Sequence, residues 1–571
     1  MFRPSKRWHF SLQLLQRKLM KKCSYCPETK SPNIFGFKEK LSKGPSLASF
    51  IDNTSLQPRV NSEYPPYISP DPSSNNKQKV YIETYGCQMN VSDTEVIYAI
   101  LEKEGYEISR NINDTNTILV MTCSIREGAE QKIWNRLKYF RQLKHNHDKN
   151  SQHPMKIGVL GCMAERLKRQ LLEKEKIVDI IAGPDSYKDL PNLLSQADEG
   201  QKAVNIMLSV DETYADIMPV RINPNSKSAF VSIMRGCDNL CSYCIVPFTR
   251  GRERSRPISS IVDEVKHLSD QGVKEVTLLG QNVNSYRDLS VSVNTKTVLS
   301  SGFKTEYKKR KGGLRFADLL DKVSDVNPEM RIRFTSPHPK DFPDEVLHLI
   351  NEKPNICKLI HLPAQSGNNS VLENMKRGYT REAYLELVDH IKNIIPDVAL
   401  TSDFICGFCD ESEDAHKDTI SLMKQVKYEF AYIFAYSMRE KTIAHKTLID
   451  NVPEDVKKQR ADEAYTVFRE CALELHSKEI GNQHLVQVIG PSKRSELDWS
   501  GRNDWNTKVI YPQIPIPVES CSDVQRLPTP GDYIVVEVMS CSSQVLKGKP
   551  LYHTTLQNFY ADHRKKYVSY N

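Results

Sequence analysis

Arg235-Gly236-Cys237-Asp238-Asn239-Leu240-Cys241-Ser242-Tyr243-Cys244 directly follows an apolar run, Ala229–Met234. Three cysteines spaced C-x3-C-x2-C in a glycine-led loop can wrap one corner of a cubane cluster. Four thiolates would saturate a [4Fe–4S] cluster, whereas three leave one iron open to another ligand. Zinc is the alternative for such a loop. Zinc loops, however, favour paired C-x2-C units and a fourth ligand, and no further Cys or His stands nearby in sequence.

Downstream of this loop, short apolar segments alternate with helical ones. The predicted strands are Ala229–Met234, Glu275–Gly280, Arg331–Thr335, Cys357–His361, Ala399–Ile405 and Phe430–Tyr436. Helices such as Ser260–Gln271, Arg381–Ile394 and Glu413–Val426 follow most of them. Six βα units predict an open, three-quarter version of a TIM barrel, with active residues on loops at the carboxyl ends of the strands. Cys237, Cys241 and Cys244 fall after the first of those strands. Residues 287–313, rich in Ser and Thr and ending in a basic run, read as a surface insertion.

Upstream, the same alternation predicts a separate parallel α/β domain. Its strands are Val80–Cys87, Thr117–Cys123, Lys156–Cys162 and Val178–Gly183. Cys87, Cys123 and Cys162 each end one of the first three. Functional groups in open parallel sheets collect outside the carboxyl ends of strands, so three cysteines distant in sequence are expected to converge. That placement suggests a second three-cysteine cluster; three buried structural cysteines are the alternative. The stretch 483–556 turns to alternating strands and predicts a small β-barrel of a kind that often binds nucleic acid.

The net charge of +8 is concentrated at the beginning of the chain. Residues 1–27 carry seven Lys and Arg and no acid, and without them the net charge falls to +1. Trp8, Leu12, Leu15 and Leu19 share a helical stripe, and the combination reads as a mitochondrial transit peptide. A basic tail contacting RNA is the alternative. The Pro-, Ser- and Asn-rich stretch that follows cannot bury enough apolar surface to fold and reads as a linker. Its Cys23-Ser-Tyr-Cys26 pair has no complement nearby. No apolar run approaches the roughly 20 residues of a membrane span, and grouped cysteines point to thiolate ligands in a reducing compartment.

Two three-cysteine sets followed by a β-barrel, in this order, resemble the methylthiotransferase family. The loop spacing and Tyr243 resemble the radical S-adenosylmethionine (SAM) signature. Further matching stretches are Leu279-Gly280-Gln281-Asn282-Val283-Asn284-Ser285-Tyr286, Phe334-Thr-Ser-Pro-His-Pro339 and His361-Leu-Pro-Ala-Gln-Ser-Gly367. Charge and composition give a transit peptide at 1–30 and a disordered linker at 31–76; beyond this leader, the resemblance implies a methylthiotransferase domain at 77–205. It further implies a radical-SAM domain at 225–475, interrupted at 287–313, and a TRAM barrel at 480–556.

It also implies two [4Fe–4S] clusters, one on Cys237, Cys241 and Cys244 and an auxiliary one on Cys87, Cys123 and Cys162. Two SAM molecules are spent per turnover, with Tyr243, Gly280, Gln281 and Asn282 at the SAM site. Arg235 before the loop, where other branches usually carry Glu, and the run Arg250-Gly-Arg252-Glu-Arg254-Ser-Arg256 resemble the MiaB branch. That branch methylthiolates carbon 2 of N6-isopentenyladenosine at position 37 in a tRNA anticodon loop. Arg250, Arg252, Arg254 and Arg256 become candidates to neutralise RNA phosphates, with a solvated basic loop as the alternative.

Further expectations from the resemblance are a mitochondrial matrix location and an electron donor such as a ferredoxin. The alternative name of the branch's mitochondrial member adds a cyclin-dependent kinase 5 regulatory subunit as partner. Rival readings are methylthiolation of threonylcarbamoyladenosine, or a non-enzymatic kinase-regulator role. Where the branch usually reads Gly-Phe-Pro-Gly-Glu, this chain has Gly407-Phe-Cys-Asp-Glu411, and Cys406 and Cys409 read as packing thiols.

Overall fold

A computed structural model describes residues 78–124, 127–150, 154–168, 170–291, 302–304 and 312–568. The transit-peptide and linker readings, the Cys23–Cys26 pair and the basic run of the insertion lie outside these residues.

The first domain is built on six parallel strands. They are β1 (Lys79–Thr84), β2 (Glu107–Ser109), β3 (Thr117–Thr122), β4 (Lys156–Gly161), β5 (Ile180–Ala182) and β6 (Ala203–Asn205), in the order β2-β1-β3-β4-β5-β6. Every residue of β3 and β4 is buried, because helices cover both faces, and that is why these strands read as continuous apolar runs. Helix α1 (Gln88–Lys103) packs Val96, Ile97 and Leu101 on one face; α2 (Glu127–Asn150) packs Ile133, Leu137 and Phe140 on the other. The short helix α3 (Cys162–Leu167) leaves β4 directly, and α4 (Leu190–Asp198) precedes β6. The edge strands β2 and β6 are additions to the sequence reading.

The second domain carries β7 (Ser228–Ser232), β8 (Glu275–Leu279), β9 (Arg331–Phe334), β10 (Leu359–His361), β11 (Ala399–Cys406) and β12 (Phe430–Ala435). All pairings are parallel, in two sheets ordered β9-β8-β7 and β10-β11-β12. A parallel bridge from Ile332 to Ile356 links the two sheets. The result is the open six-stranded arc expected from sequence, surrounded by helices including α5 (Val246–Thr249), α6 (Ile258–Asp270), α7 (Arg381–Ile394), α8 (Glu413–Val426) and α9 (Glu454–Ser477).

The insertion is not wholly superficial. Arg287–Asp288 pairs with Leu314–Arg315 as an antiparallel ribbon, and Phe303 is buried against Tyr379. Lys304 N donates to Gly378 O at 2.8 Å. An aromatic within a polar stretch is drawn into the core whenever a pocket receives it, since burying its ring contributes about 1.5–3 kcal/mol.

The third domain is a closed five-stranded barrel of β13 (Gln483–Ser492), β14 (Ser495–Arg502), β15 (Lys508–Pro512), β16 (Tyr533–Cys541) and β17 (Val545–Thr554). Val486, Trp499, Val536 and Leu546 fill it. A helix missed in sequence, α10 (Leu556–Val568), seals one side through Leu556 and Phe559.

The barrel docks on the amino ends of the central strands. Arg331, the first residue of β9, donates to Leu485 O and Arg502 O, each at 2.8 Å. Lys358 N, just before β10, donates to Asp504 Oδ2 at 2.9 Å, and Tyr533 OH donates to Lys274 O at 3.1 Å just before β8. The carboxyl ends, which carry Cys237, Cys241 and Cys244, face the opposite way. Among the described residues no helix is long and apolar enough to cross a membrane.

Candidate metal and cofactor site

Cys87 caps α1 just past the end of β1, Cys123 follows the last residue of β3, and Cys162 follows the last residue of β4. Since β1, β3 and β4 are neighbours in the sheet, the three cysteines sit side by side on its carboxyl edge. Two glycines make that approach feasible. Gly86 has φ +113°, and a Cβ there would stand 2.5 Å from Cys123 Cβ; Gly161, at φ +89°, would meet Thr122 O at 2.8 Å. Cys123 and Cys162 are buried and Cys87 is half-buried.

The second set follows β7. Gly236, at φ +73°, turns the loop under the Arg252 carbonyl, which a Cβ would approach to 2.1 Å. Ser242 anchors the loop's far side: its N donates to Met375 O at 3.0 Å and its Oγ to Asn374 O at 2.7 Å. Asp238 accepts from Arg252 at 2.7 and 3.1 Å and from Glu253 N at 3.0 Å. The loop is thus fixed before any ligand arrives.

None of the six cysteines is joined in a disulfide. Burial pushes the Cys162 thiol up to about 11, with Arg250 opposing and the neighbouring Cys123 and Cys87 adding to the rise. Burial likewise raises Cys244 to about 12, reinforced by Cys241, and Cys237 well above its ordinary value, reinforced by Cys244 and Cys241. Thiols gathered three to a set at a strand end or in a glycine-led loop, with no disulfide among them, are ligands that a metal binds by displacing their protons, so the residues present fit a thiolate-ligated iron centre. Among the described residues no three His, Cys, Asp or Glu side chains form a site for a single metal ion. A cubane differs in taking each thiolate on a separate iron.

The surroundings of the second set include a residue that sequence reading missed. Arg377, wholly buried, donates from Nη1 to Cys241 Sγ and to Tyr243 OH, each at 3.3 Å, from Nη2 to Pro363 O at 2.8 Å, and from Nε to Tyr379 OH at 3.0 Å. It lies far from the cysteine loop in sequence, and no local pattern marks it. Two residues in the matching stretches adopt left-handed backbone: Ser336 (φ +59°) just after β9 and Gln365 (φ +70°) just after β10. Non-glycine residues in that region are rare and cluster at functional sites.

The residues expected at the SAM site divide by role. Gly280 lies against Met234, whose Cγ would stand 2.5 Å from a Cβ there. Asn282 is buried, donating to Asp341 Oδ2 and accepting from His338 N, each at 3.0 Å, which fixes its side chain. Both shape the site. Gln281 Oε1 and the side-chain amide of Asn284, by contrast, are buried polar atoms without a hydrogen-bond partner. Tyr243 is held by Arg377 and packs edge-on against Phe408.

The basic run is corrected by the structure. Arg250 is buried and paired with Asp93 at 2.8 Å; Arg254 is buried and paired bidentately with Asp185 at 2.8 and 3.0 Å; Arg256 is buried on Glu264 at 2.6 Å. Their partners lie on α1, after β5 and on α6, so the sequence around them gives no hint that they are neutralised. A buried guanidinium in an ion pair is unavailable to a phosphate. Of the four, only Arg252 remains largely exposed, with 71% of its side chain in solvent. Cys406 and Cys409 are buried among apolar neighbours, as expected for packing thiols.

Comparison with known proteins follows this division. Residues 79–183 match the family described as uncharacterized protein family UPF0004, and residues 231–423 match the radical SAM superfamily. A rat protein named mitochondrial tRNA methylthiotransferase CDK5RAP1 is 55% identical over 546 residues, covering 93% of each chain. The human protein of that name is 55% identical over 543 residues, covering 91% of this chain and 90% of its own. A tRNA-2-methylthio-N(6)-dimethylallyladenosine synthase from Chloroherpeton thalassium is 48% identical over 477 residues, covering 84% of this chain and 97% of its own. With more than half of its residues shared along nine-tenths of its length, this chain belongs to the radical-SAM tRNA methylthiotransferase family.

Proposed function

We propose that this protein methylthiolates carbon 2 of N6-isopentenyladenosine at position 37 of mitochondrial tRNAs, in the matrix, using two [4Fe–4S] clusters and two SAM molecules per turnover. The observation that carries this reading is the presence of two separate three-cysteine sets, each at the carboxyl edge of its own parallel sheet. The names of the relatives support the substrate.

In this reading Cys237, Cys241 and Cys244 hold the cluster that binds SAM, and Cys87, Cys123 and Cys162 hold the auxiliary one. Bound there, the clusters and SAM supply the radical that takes hydrogen from carbon 2 and the sulfur and methyl that replace it. Arg377 keeps a positive charge against Cys241 and fixes the Tyr243 ring beside the loop. Gln281 Oε1 and the Asn284 amide supply unpartnered polar atoms for SAM's amino and carboxylate groups. Ser336 and Gln365 turn the loops after β9 and β10 through left-handed backbone at the carboxyl face. Arg252, exposed beside the loop, is the member of the basic run left to meet an anticodon-loop phosphate. An electron donor such as a ferredoxin completes the reaction.

The test is anaerobic reconstitution followed by counting iron and sulfide. About eight irons per chain are expected, falling to about four when Cys87, Cys123 and Cys162 are changed together to Ala. Incubation with isopentenylated tRNA, SAM and a reductant should then yield the 2-methylthio nucleoside by mass spectrometry. Four irons unaffected by the triple change would end the two-cluster reading. Thiolation of threonylcarbamoyladenosine alone would end the substrate reading.

A further inference from the structure

Asp93 lies on α1, six residues after Cys87, and is completely buried. Two arginines of the other domain close on its carboxylate: Arg235 Nη1 at 2.6 Å from Oδ1 and Arg250 Nη2 at 2.8 Å from Oδ2. Arg235 stands two residues before Cys237, and Arg250 stands six residues after Cys244. Both ends of the second cysteine loop thus terminate on one carboxylate of the first domain. Arg235 also stacks over Tyr214, 4.6 Å from the ring centre, and faces Glu212 at 3.6 Å. Two positive and two negative charges therefore share one buried pocket.

The contact continues to the auxiliary cysteines. Arg250 Nη2 donates to Asn90 Oδ1 at 3.1 Å, and Asn90 Nδ2 donates to Tyr85 O at 2.6 Å and Thr122 O at 3.0 Å. Tyr85 and Thr122 lie just before Gly86-Cys87 and Cys123. Thr122 Oγ1 accepts from Met163 N at 3.3 Å, next to Cys162. Hydrogen bonds therefore link Arg250 to residues beside Cys87, Cys123 and Cys162, and the Asp93–Arg235 ion pair extends the contact to the flank of Cys237.

We infer that Asp93, Arg235 and Arg250 are positioning residues that set the distance and orientation between the two cysteine centres, so that the radical made at one is delivered where the other presents sulfur. This inference rests on the two-cluster reading above. General stabilisation would not require the charges to end on the flanks of the ligands. Transfer between two bound groups is sensitive to displacements of about 1 Å, which makes such a clamp worth its desolvation.

The test uses the full-length reconstituted protein and two variants. Asp93→Asn leaves two buried guanidinium groups sharing one carboxylate and risks misfolding. Asp93→Asn combined with Arg250→Gln keeps the pocket balanced, since Arg235 still faces Glu212. For the double variant the expected result is the parent's iron content with SAM cleavage uncoupled from thiolation. The ratio of 5′-deoxyadenosine to methylthio product should rise about tenfold or more. The magnetic dipolar coupling between the two reduced clusters should broaden or shift. Parent-like iron, ratio and coupling in the double variant would overturn the clamp. Loss of iron from both sets in the double variant would also overturn it, by showing a structural role only. A parent chain with a single cluster would instead remove the underlying reading.

Discussion

Arg377 and Cys241, far apart in sequence, are joined by a hydrogen bond of 3.3 Å from guanidinium to sulfur. Partners of this kind orient a ligand and tune its charge, and removing one typically costs about 10- to 100-fold in metal affinity or activity. Arg377→Gln should therefore lower 5′-deoxyadenosine formation by about that factor and alter the electron paramagnetic resonance signal of the SAM-binding cluster. The signal of the auxiliary cluster should be unchanged, since Arg377 touches none of its ligands. Equal loss of both signals would contradict this.

Gly236→Ala places a methyl group within 2.1 Å of the Arg252 carbonyl at a backbone angle unfavourable for alanine. The strain is local to the loop. The expected protein is folded, carries about four irons in place of about eight, and is inactive. Full iron content would show that the loop can relax.

Asp410, in the turn Gly407-Phe-Cys-Asp-Glu411, adopts φ +61°. It manages this by exchanging hydrogen bonds with Asn451: Asp410 N donates to Asn451 Oδ1 at 2.9 Å, and Asn451 Nδ2 donates to Asp410 Oδ1 at 2.7 Å. Asp410→Ala should cost about 1–2 kcal/mol in chemical unfolding, since alanine keeps the left-handed strain and loses the bond from Asn451 Nδ2. Asp410→Gly should cost less. The reverse order would mean that the turn is not held by this pair.

His476 and Glu429 tie the C-terminal barrel to the central domain. His476 Nε2 lies 2.7 Å from Glu429 Oε1, which also accepts from Thr507 Oγ1 at 2.8 Å. Burial opposes the charged imidazole, but Glu429 and the Ser542 carbonyl overcome it and raise His476 above its ordinary value. A raised histidine contributes stability that is fully present below about pH 6.5, the unfolded value, and is lost as pH rises through the folded value. Melting temperature should thus fall between pH 6 and pH 8.5 more steeply in the parent than in His476→Gln. Parallel profiles would exclude the pair as the cause.

Much of this architecture is legible in the amino-acid sequence, because buried parallel strands must be apolar on both faces. β3 and β4 stand out for that reason, and with them the strand-end positions of Cys123 and Cys162. Three-residue edge strands such as β2 and β6 bury too little to leave a pattern. The arginines show the deeper limit. Arg250, Arg254 and Arg256 form an accessible basic run on paper, yet the residues that neutralise Arg250 and Arg254 come from another domain. Phe303 and Arg377 were invisible for the same reason: their surroundings are assembled only by the fold.

Because β1, β3 and β4 are hydrogen-bonded neighbours, the lateral offset between the ends that carry Cys87, Cys123 and Cys162 is fixed at the strand spacing of about 4.8 Å. The backbone ladder acts as a ruler, and the chain between its marks is free to lengthen. Residues added within α2 would enlarge the helical layer without moving Cys123 relative to Cys162. The loop holding Cys237, Cys241 and Cys244 has no such freedom, for one residue inserted between two of its ligands alters their spacing at once. One centre is therefore built to tolerate length variation around it, while the other is bound to its local spelling.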